Sequence, residues 1–547
     1  MRSTFFLLLI ITGQFSFAQI QRKQPVAPTS NFISKVWVAD NGDGTYKNPI
    51  IHADYSDPDA IRVGDDYYMI SSSFDAVPGL PILHSKDLVN WTIIGHVLLR
   101  QPPFEHFAKT QHGNGVWAPA IRYHNNEFYI YYPDPDFGIY LTKAKNITGP
   151  WTDPVLVEAG KGLIDPCPLW DTNGKVYLVH AYAGSRAGIK SVLVIKQMNT
   201  AGTKTLDAGV LVYDGHDTDP TIEGPKIYKR NNYYYIFAPA GGVGTGWQLV
   251  LRSKNIYGPY DRKVVMDQGK TKINGPHQGA WVDTKTGEDW FIHFQDKDAY
   301  GRVVHLQPMK WINDWPVIGI DKDGDGKGEP VMEYQKPNVG KIYPVTTPLE
   351  NDEFDNPKVG LQWQWQANPK PTWAVHNATN GSLRLFSFKT PDSAKNYWEV
   401  PNILLQKFPA ETFTATTKFI FKPRLEGERF GFIVMGLSYA AINLSKRTDG
   451  VYLSYITCKD ADKEKLETEQ LISKIEEGNI YFKIKVNKGA VCTFNYSTDG
   501  INFTKVGDEF TATPGKWIGA KIGFYCTRTV KTNDSGFADI DWFRIDK

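Results

Sequence analysis

Three absences bound this 547-residue sequence before any motif is read. It lacks an excess of either charge: 61 Lys plus Arg against 59 Asp plus Glu leave +2. Nucleic acid and anionic membranes reward a basic surface, so neither is expected as the main partner. Cysteine is scarce, with 4 in the whole chain, which excludes a disulfide scaffold. Cys167 stands far from Cys458, Cys492 and Cys526, leaving room for at most one bridge within the C-terminal half. Long helical periodicity is also scarce between residues 48 and 340, and the unbroken apolar run Phe5 to Ile11 is too short to span a bilayer. That run follows Arg2 and precedes Ser16-Phe17-Ala18, the pattern of a secretory signal cleaved near Ala18. A secreted or periplasmic protein is expected. No Cys follows Ala18, so no membrane anchor is expected.

Aromatic rings are what the chain has in excess. Trp 16, Tyr 28 and Phe 29 make 13% of it, alongside Gly 48 and Pro 34. Disorder needs low hydrophobicity and high net charge, and 41% hydrophobic residues at near-zero charge meet neither condition. Ring-rich, turn-rich and neutral composition suits an all-β chain with a surface on which sugars stack.

A cassette recurs between residues 48 and 340: a tight polar turn, then an aromatic, β-branched strand. It reads Gly64-DDYYMISS, Asn126-EFYIYYP, Gly174-KVYLVHA, Asn232-YYYIFAP and Gly287-EDWFIHFQ. Gly or Asn at each turn suits the positive φ of a hairpin. Shorter echoes, SKDLVNW (85–91), AKNITGPW (144–151) and SKNIYGPY (253–260), run in parallel. Five units predict a five-bladed β-propeller over residues 48–335, after the leader 1–18 and an N-terminal segment 19–47. A large irregular sandwich is the competing fold, but it does not explain one cassette used five times. Residues 336–350 read as a linker broken by Pro337, Pro344 and Pro348. Asp321, Asp323 and Asp325 mimic the start of a calcium loop, but Met332 stands where its bidentate Glu belongs, so a solvated turn is expected. Residues 351–547 alternate as a two-sheet β-sandwich, with a hairpin at Asp499-Gly500.

In a propeller the innermost strands line one channel, so matching positions converge on the axis. Just upstream of each polar turn stand SDPDAIR, WAPAIRY, IDPCPLW, IEGPKIY and GPHQGAW. Asp57, Trp117–Ala118, Asp165, Glu223 and His277 share this register. Any one of them alone is a turn acid or a structural histidine; the shared register brings three carboxylates and a histidine to one end of the channel. Crowded carboxylates repel, and function is the usual reason to retain them. Three acids without a nucleophile–base pair suit glycoside hydrolysis, in which one carboxyl donates a proton and one carboxylate activates water or attacks. A third acid can hold the donor's proton in place.

These motifs resemble glycoside hydrolase family 43. NPIIHADYSDPDAIRVGDDYYMISSSF looks like the family's opening segment, followed in order by PGLPILHSKDLVNWTIIGH, GVWAPAIRYHNNEFYIYY, LIDPCPLWD, TIEGPKIY and GRVVHLQPMKWINDWPVIG. The C-terminal part resembles the concanavalin-like sandwich of the family's β-xylosidase-type members. The resemblance implies inversion, with Asp57 as general base, Asp165 as modulator and Glu223 as general acid. The acid and base should then stand about 6.5–9.5 Å apart. It also implies Phe74 and Trp117 as aromatic walls, Arg302 near the sugar and the modulator, and His277 facing a water-ligated calcium on the axis. Asp352, Asp355, Asp539 and Asp541 bracket the sandwich termini, where relatives hold a structural calcium; Asp352 and Asp541 are its expected ligands here, with exposed edge charges as the alternative. Trp517 lies in a segment that in some relatives reaches over the pocket. Ser56 departs from the Pro that many members carry before the base. The expected substrate is a terminal pentose, α-L-arabinofuranose or β-xylose, on plant polysaccharide. Competing readings are an endo-acting arabinanase or xylanase, a non-catalytic glycan-binding protein, and a propeller used for protein contacts.

Overall fold

The computed structural model describes residues 32–547, so the leader expected over 1–18 lies outside the described residues. Five four-stranded antiparallel sheets follow one another over residues 59–98, 120–159, 163–214, 226–266 and 277–318, each with its strands in chain order. The first strands of neighbouring blades pack together, and Asp59–Val63 of blade one meets His277–Asp283 of blade five, which closes the ring. The turn residues chosen from sequence all have left-handed backbone: Gly64, Asn126, Gly174, Asn232 and Gly287 lie at φ between 61° and 92°. Each links the first strand of its blade to the second.

The aromatic excess follows from strand alternation, because successive side chains point to opposite faces. In blade two, Phe128, Ile130 and Tyr132 join the core shared with blade one. Tyr129 and Tyr131, between them in sequence, join the core shared with blade three. Tyr234 and Ile236 of blade four likewise face blade three, while Tyr235 and Phe237 face blade five. A strand buried on both faces needs apolar bulk at every position, and rings supply it. The shorter echoes are one loop between the third and fourth strands of three blades. Its last ring closes back on an upstream carbonyl: Trp91 on Leu88, Trp151 on Ile147 and Tyr260 on Ile256.

Beyond the propeller, an eight-stranded and a seven-stranded sheet form the sandwich. Phe430, Phe432 and Phe524 of one sheet meet Phe419, Phe482 and Phe543 of the other in a single core. The DG hairpin is present, with Asp499 accepting the N–H groups of Ile501 and Asn502 across a wider turn than two residues. All four cysteines are buried free thiols, so the single bridge that spacing allowed is not made. Asp321 accepts from the N–H groups of Gly324 and Gly326, which makes 321–327 a self-satisfied turn. The only α-helical element among the described residues is the single turn Gly184–Ala187. No helix there is long and apolar enough to cross a membrane.

The two domains dock backbone to backbone. Val77 and Trp365 exchange both main-chain bonds, at 3.0 and 2.6 Å. Ala299 and Tyr300 of blade five are part of the sandwich core itself.

Candidate active site

Four of the five register positions stand at or just before an innermost strand. Asp57 precedes Asp59–Val63, Glu223 precedes Lys226–Arg230, and His277 opens His277–Asp283. Asp165 lies inside Leu163–Trp170, at a bulge between Ile164 and Cys167 that frees it from the ladder. Asp57 and Asp165 both adopt left-handed backbone, φ 54° and 56°. Such strain costs about 1–3 kcal/mol per residue and persists where the surroundings over-determine it. Here it turns two carboxylates out of their strands.

Each acid has a different environment. Asp57 Oδ2 accepts from the hydroxyls of Ser56 at 2.8 Å and Ser72 at 2.5 Å. Its Oδ1 faces Arg302 Nη1 at 3.3 Å. The same nitrogen donates to Ser56 Oγ at 2.8 Å, and the guanidinium lies over the Phe294 ring. Arg302 therefore contacts Asp57, in the same acid cluster as Asp165, the modulator beside which the resemblance placed it along with the sugar. Asp165 is 2% exposed. Its Oδ2 accepts from the Gly224 N–H at 2.7 Å, with Gln278 Nε2 at 3.4 Å. Burial first, then the charges of Glu223 and Asp57, push its carboxyl well above the ordinary carboxylate range; Lys226 and the Gly224 N–H pull the other way. Glu223 Oε1 stands 2.8 Å from His277 Nε2, and its side chain is 27% exposed against 6% for Asp57. The three acids thus feel one another in one cluster, and Glu223 is the one open to solvent.

Trp117, which shares the register of the acids, belongs to an aromatic row. Trp117 meets Phe74 edge-on at 6.4 Å and Trp517 edge-on at 6.2 Å. Phe74 is 2% exposed, so it backs Trp117, and the accessible rings are Trp117 and Trp517. Trp117 is fixed by its indole N–H on the Gly113 carbonyl at 2.8 Å and by the Arg186 guanidinium over its ring. Trp517 comes from the sandwich, on a loop with left-handed backbone, φ 65°.

The metal expectations meet a different donor set. Asp352 is engaged by the N–H groups of Phe354, Gly360 and the Trp363 indole. Asp541 pairs with Lys418 and Asp539 with Arg384, at 2.7 Å each. Carboxylates already matched to protein donors do not fit a calcium site, which needs six to eight oxygens. On the axis, His277 has Nε2 on Glu223 and a buried Nδ1 without a partner among the described residues. The buried ammonium of Lys226 also acts on Asp165. The water-ligated calcium implied by the resemblance would take its oxygens from solvent, so among the described residues this side of the axis offers it only that one free imidazole nitrogen beside an ammonium.

Sequence reasoning passed over Ser72, Lys226 and Gln278. Lys226 sits in the quoted IEGPKIY motif, three residues after Glu223, and a lysine on an innermost strand was the available signal. Ser72 stands 15 residues from Asp57 and carried none.

Known proteins share this arrangement along the chain. Residues 46–316 match Glycosyl hydrolases family 43, and residues 351–546 match the Beta xylosidase C-terminal Concanavalin A-like domain. A putative beta-xylosidase of Xylanibacter ruminicola is 39% identical over 503 residues, covering 90% of this chain and 88% of its own. A non-reducing end alpha-L-arabinofuranosidase of Bacteroides ovatus is 31% identical, covering 91% and 94%. The crystal structure of a family 43 protein from Bacillus licheniformis superposes with TM-score 0.78 at 26% identity, over 92% of this chain and 99% of that one. With two domains matched in order and a relative of this identity along nearly the whole length, the chain belongs to glycoside hydrolase family 43 and is a glycoside hydrolase.

Proposed function

We propose that the chain is an exported, inverting, exo-acting pentosidase that releases terminal β-xylose or α-L-arabinofuranose from plant polysaccharide and its fragments. The observation that carries the reading is one cluster of three acids in three environments: Asp57 bound by two hydroxyls and facing a guanidinium, Asp165 buried, Glu223 partly open on His277. In this reading Asp57 accepts a proton from water as its oxygen attacks the anomeric carbon. The bond to the leaving oxygen breaks, and Glu223 delivers its proton there. Asp165 and Glu223 repel as anions, so the pair favours holding one proton between them, and negative charge on Asp165 keeps that proton on Glu223 as it enters the reaction. Glu223 suits the acid role because it alone is accessible enough to meet a leaving group that points to solvent. Arg302 and the two serines fix the carboxylate of Asp57 at one angle, which is what a base needs in order to aim a water.

The exo reading rests on Trp517, which the sandwich brings against Trp117 and which in this reading would close one side of the sugar site. Adjacent rings of this kind offer a surface for the apolar face of a single sugar. One relative is named for xylose and another for arabinofuranose, so both pentoses are retained as substrates. Purified protein incubated with aryl β-xyloside, aryl α-L-arabinofuranoside, linear xylo-oligosaccharides and arabinan tests the reading. Turnover of at least one aryl pentoside, with monosaccharide as the first product from the oligosaccharides, is the expected result. Oligosaccharides as first products would replace it with endo action, and no turnover of any substrate would end it.

A further inference from the structure

The loop that carries Trp517 joins the sandwich strands Thr504–Thr511 and Lys521–Arg528, yet its far end is fastened to the propeller. Ala520 donates its N–H to the Ala299 carbonyl at 2.8 Å. Gly519 donates its N–H to Asp54 Oδ2 at 3.1 Å. The other oxygen of that carboxylate accepts the main-chain N–H of Arg302 at 2.9 Å. One side chain therefore ties together two backbones from different domains. One backbone reaches Trp517 two residues away; the other is that of Arg302 itself, whose guanidinium faces Asp57.

The junction is tight and electrostatically built. Asp54 is 3% exposed. A Cβ on Gly519 would stand 2.7 Å from the Gly301 nitrogen, and one on Gly301 would stand 2.6 Å from Asp54 Cγ, so both backbones approach as only glycine allows. Lys407 and Lys521, register partners on adjacent strands of the sandwich, both feel the charge of Asp54. A buried carboxylate is costly unless donors and opposite charge offset it; this one has two N–H groups, and the field of two lysines whose own charge burial disfavours. An ionised carboxylate offers two acceptor oxygens and no donor. An amide of the same shape would turn an NH2 toward one of the two N–H groups.

We propose that Asp54 is a positioning residue that latches the Trp517 loop of the sandwich to the Arg302 strand of the propeller, so that the sugar pocket is complete only when the two domains are docked. The proposal builds on the reading of this site as a pentose pocket walled by Trp517. It has a readout independent of activity. In the full chain, Asp54→Asn is compared with the unmodified protein by hydrogen–deuterium exchange. Peptides covering 512–520 and 299–304 are expected to exchange about tenfold faster in the variant, the scale of one lost bond to a charged acceptor, with the rest of both domains unchanged. Unchanged protection in those two peptides overturns the latch, whether or not the protein turns over a pentoside. Global loss of protection also overturns it, because Asp54 would then be a general folding residue.

Kinetics supply the second arm. On an aryl pentoside, Asp54→Asn is expected to lower kcat/KM about tenfold. In a Trp517→Ala background the same change is expected to cost under about threefold, since the loop it positions has already lost its ring. Equal losses in both backgrounds would show that Asp54 does not act through the Trp517 loop. Absence of pentosidase activity in the unmodified protein would remove the proposed function while leaving the exchange result to decide the latch.

Discussion

Replacing Asp165 by Asn should make the protein more stable and less active at neutral pH. An unfolded aspartate gives up its proton near 3.8, whereas in the folded chain burial and the charge of Glu223 hold the proton on to much higher pH. Between those two points the folded state carries one proton more than the unfolded state. Stability therefore falls as pH rises through that window, by at most about 1.4 kcal/mol per pH unit. An amide has no proton to lose, so the slope disappears. It also keeps the local bonding, because its oxygen can accept from the Gly224 N–H and from Gln278 Nε2 as the carboxylate does. The assay is thermal unfolding of both proteins by circular dichroism at intervals from pH 4 to pH 8. The variant should melt a few degrees higher at pH 7, with the gap closing toward pH 4. Its kcat on an aryl pentoside should fall about a hundredfold, the scale of losing one element of acid–base catalysis. A stability gap that does not change with pH, or a variant less stable at pH 7, would refute the account of Asp165.

Trp517→Ala should raise KM for an aryl pentoside about tenfold with kcat little changed, because it removes a wall and leaves the acids in place; steady-state kinetics read this directly. A fall in kcat alone would instead place the ring in the reaction step. Lys226→Met should carry the decline of stability with pH further toward alkaline values, since its ammonium is the charge that pulls the carboxyl of Asp165 down. The same melting series reads that shift, and a wild-type profile would remove Lys226 from the acid cluster.

The propeller is legible in sequence because its rules are local. A Gly or Asn must supply left-handed backbone at every first hairpin, and each second strand must be apolar on both faces. The acids are legible for the same reason, since one register repeated by the blades brings Asp57, Asp165 and Glu223 to one axis. What escaped depends on contacts no local rule encodes. Asp54 and Gly519 are separated by 465 residues, and Arg302 and Asp57 by 245. Phe74 was expected at the sugar face and is buried behind Trp117, because a side chain four residues beyond a strand end can turn either way. The sandwich acids looked like calcium ligands in isolation. Their neighbours across the sheets, Lys418 and Arg384, are visible only once the strands are paired.

The central claim is a single displacement, with Asp57 aiming the water and Glu223 protonating the leaving group. Proton NMR of the first-formed sugar tests it most directly, recorded during turnover of an aryl β-xyloside before the anomers equilibrate. The account predicts α-xylose as the initial signal, with β-xylose growing in only by mutarotation, and no signal from Asp57→Asn. β-Xylose appearing first would mean a covalent intermediate and two displacements, and would contradict the account.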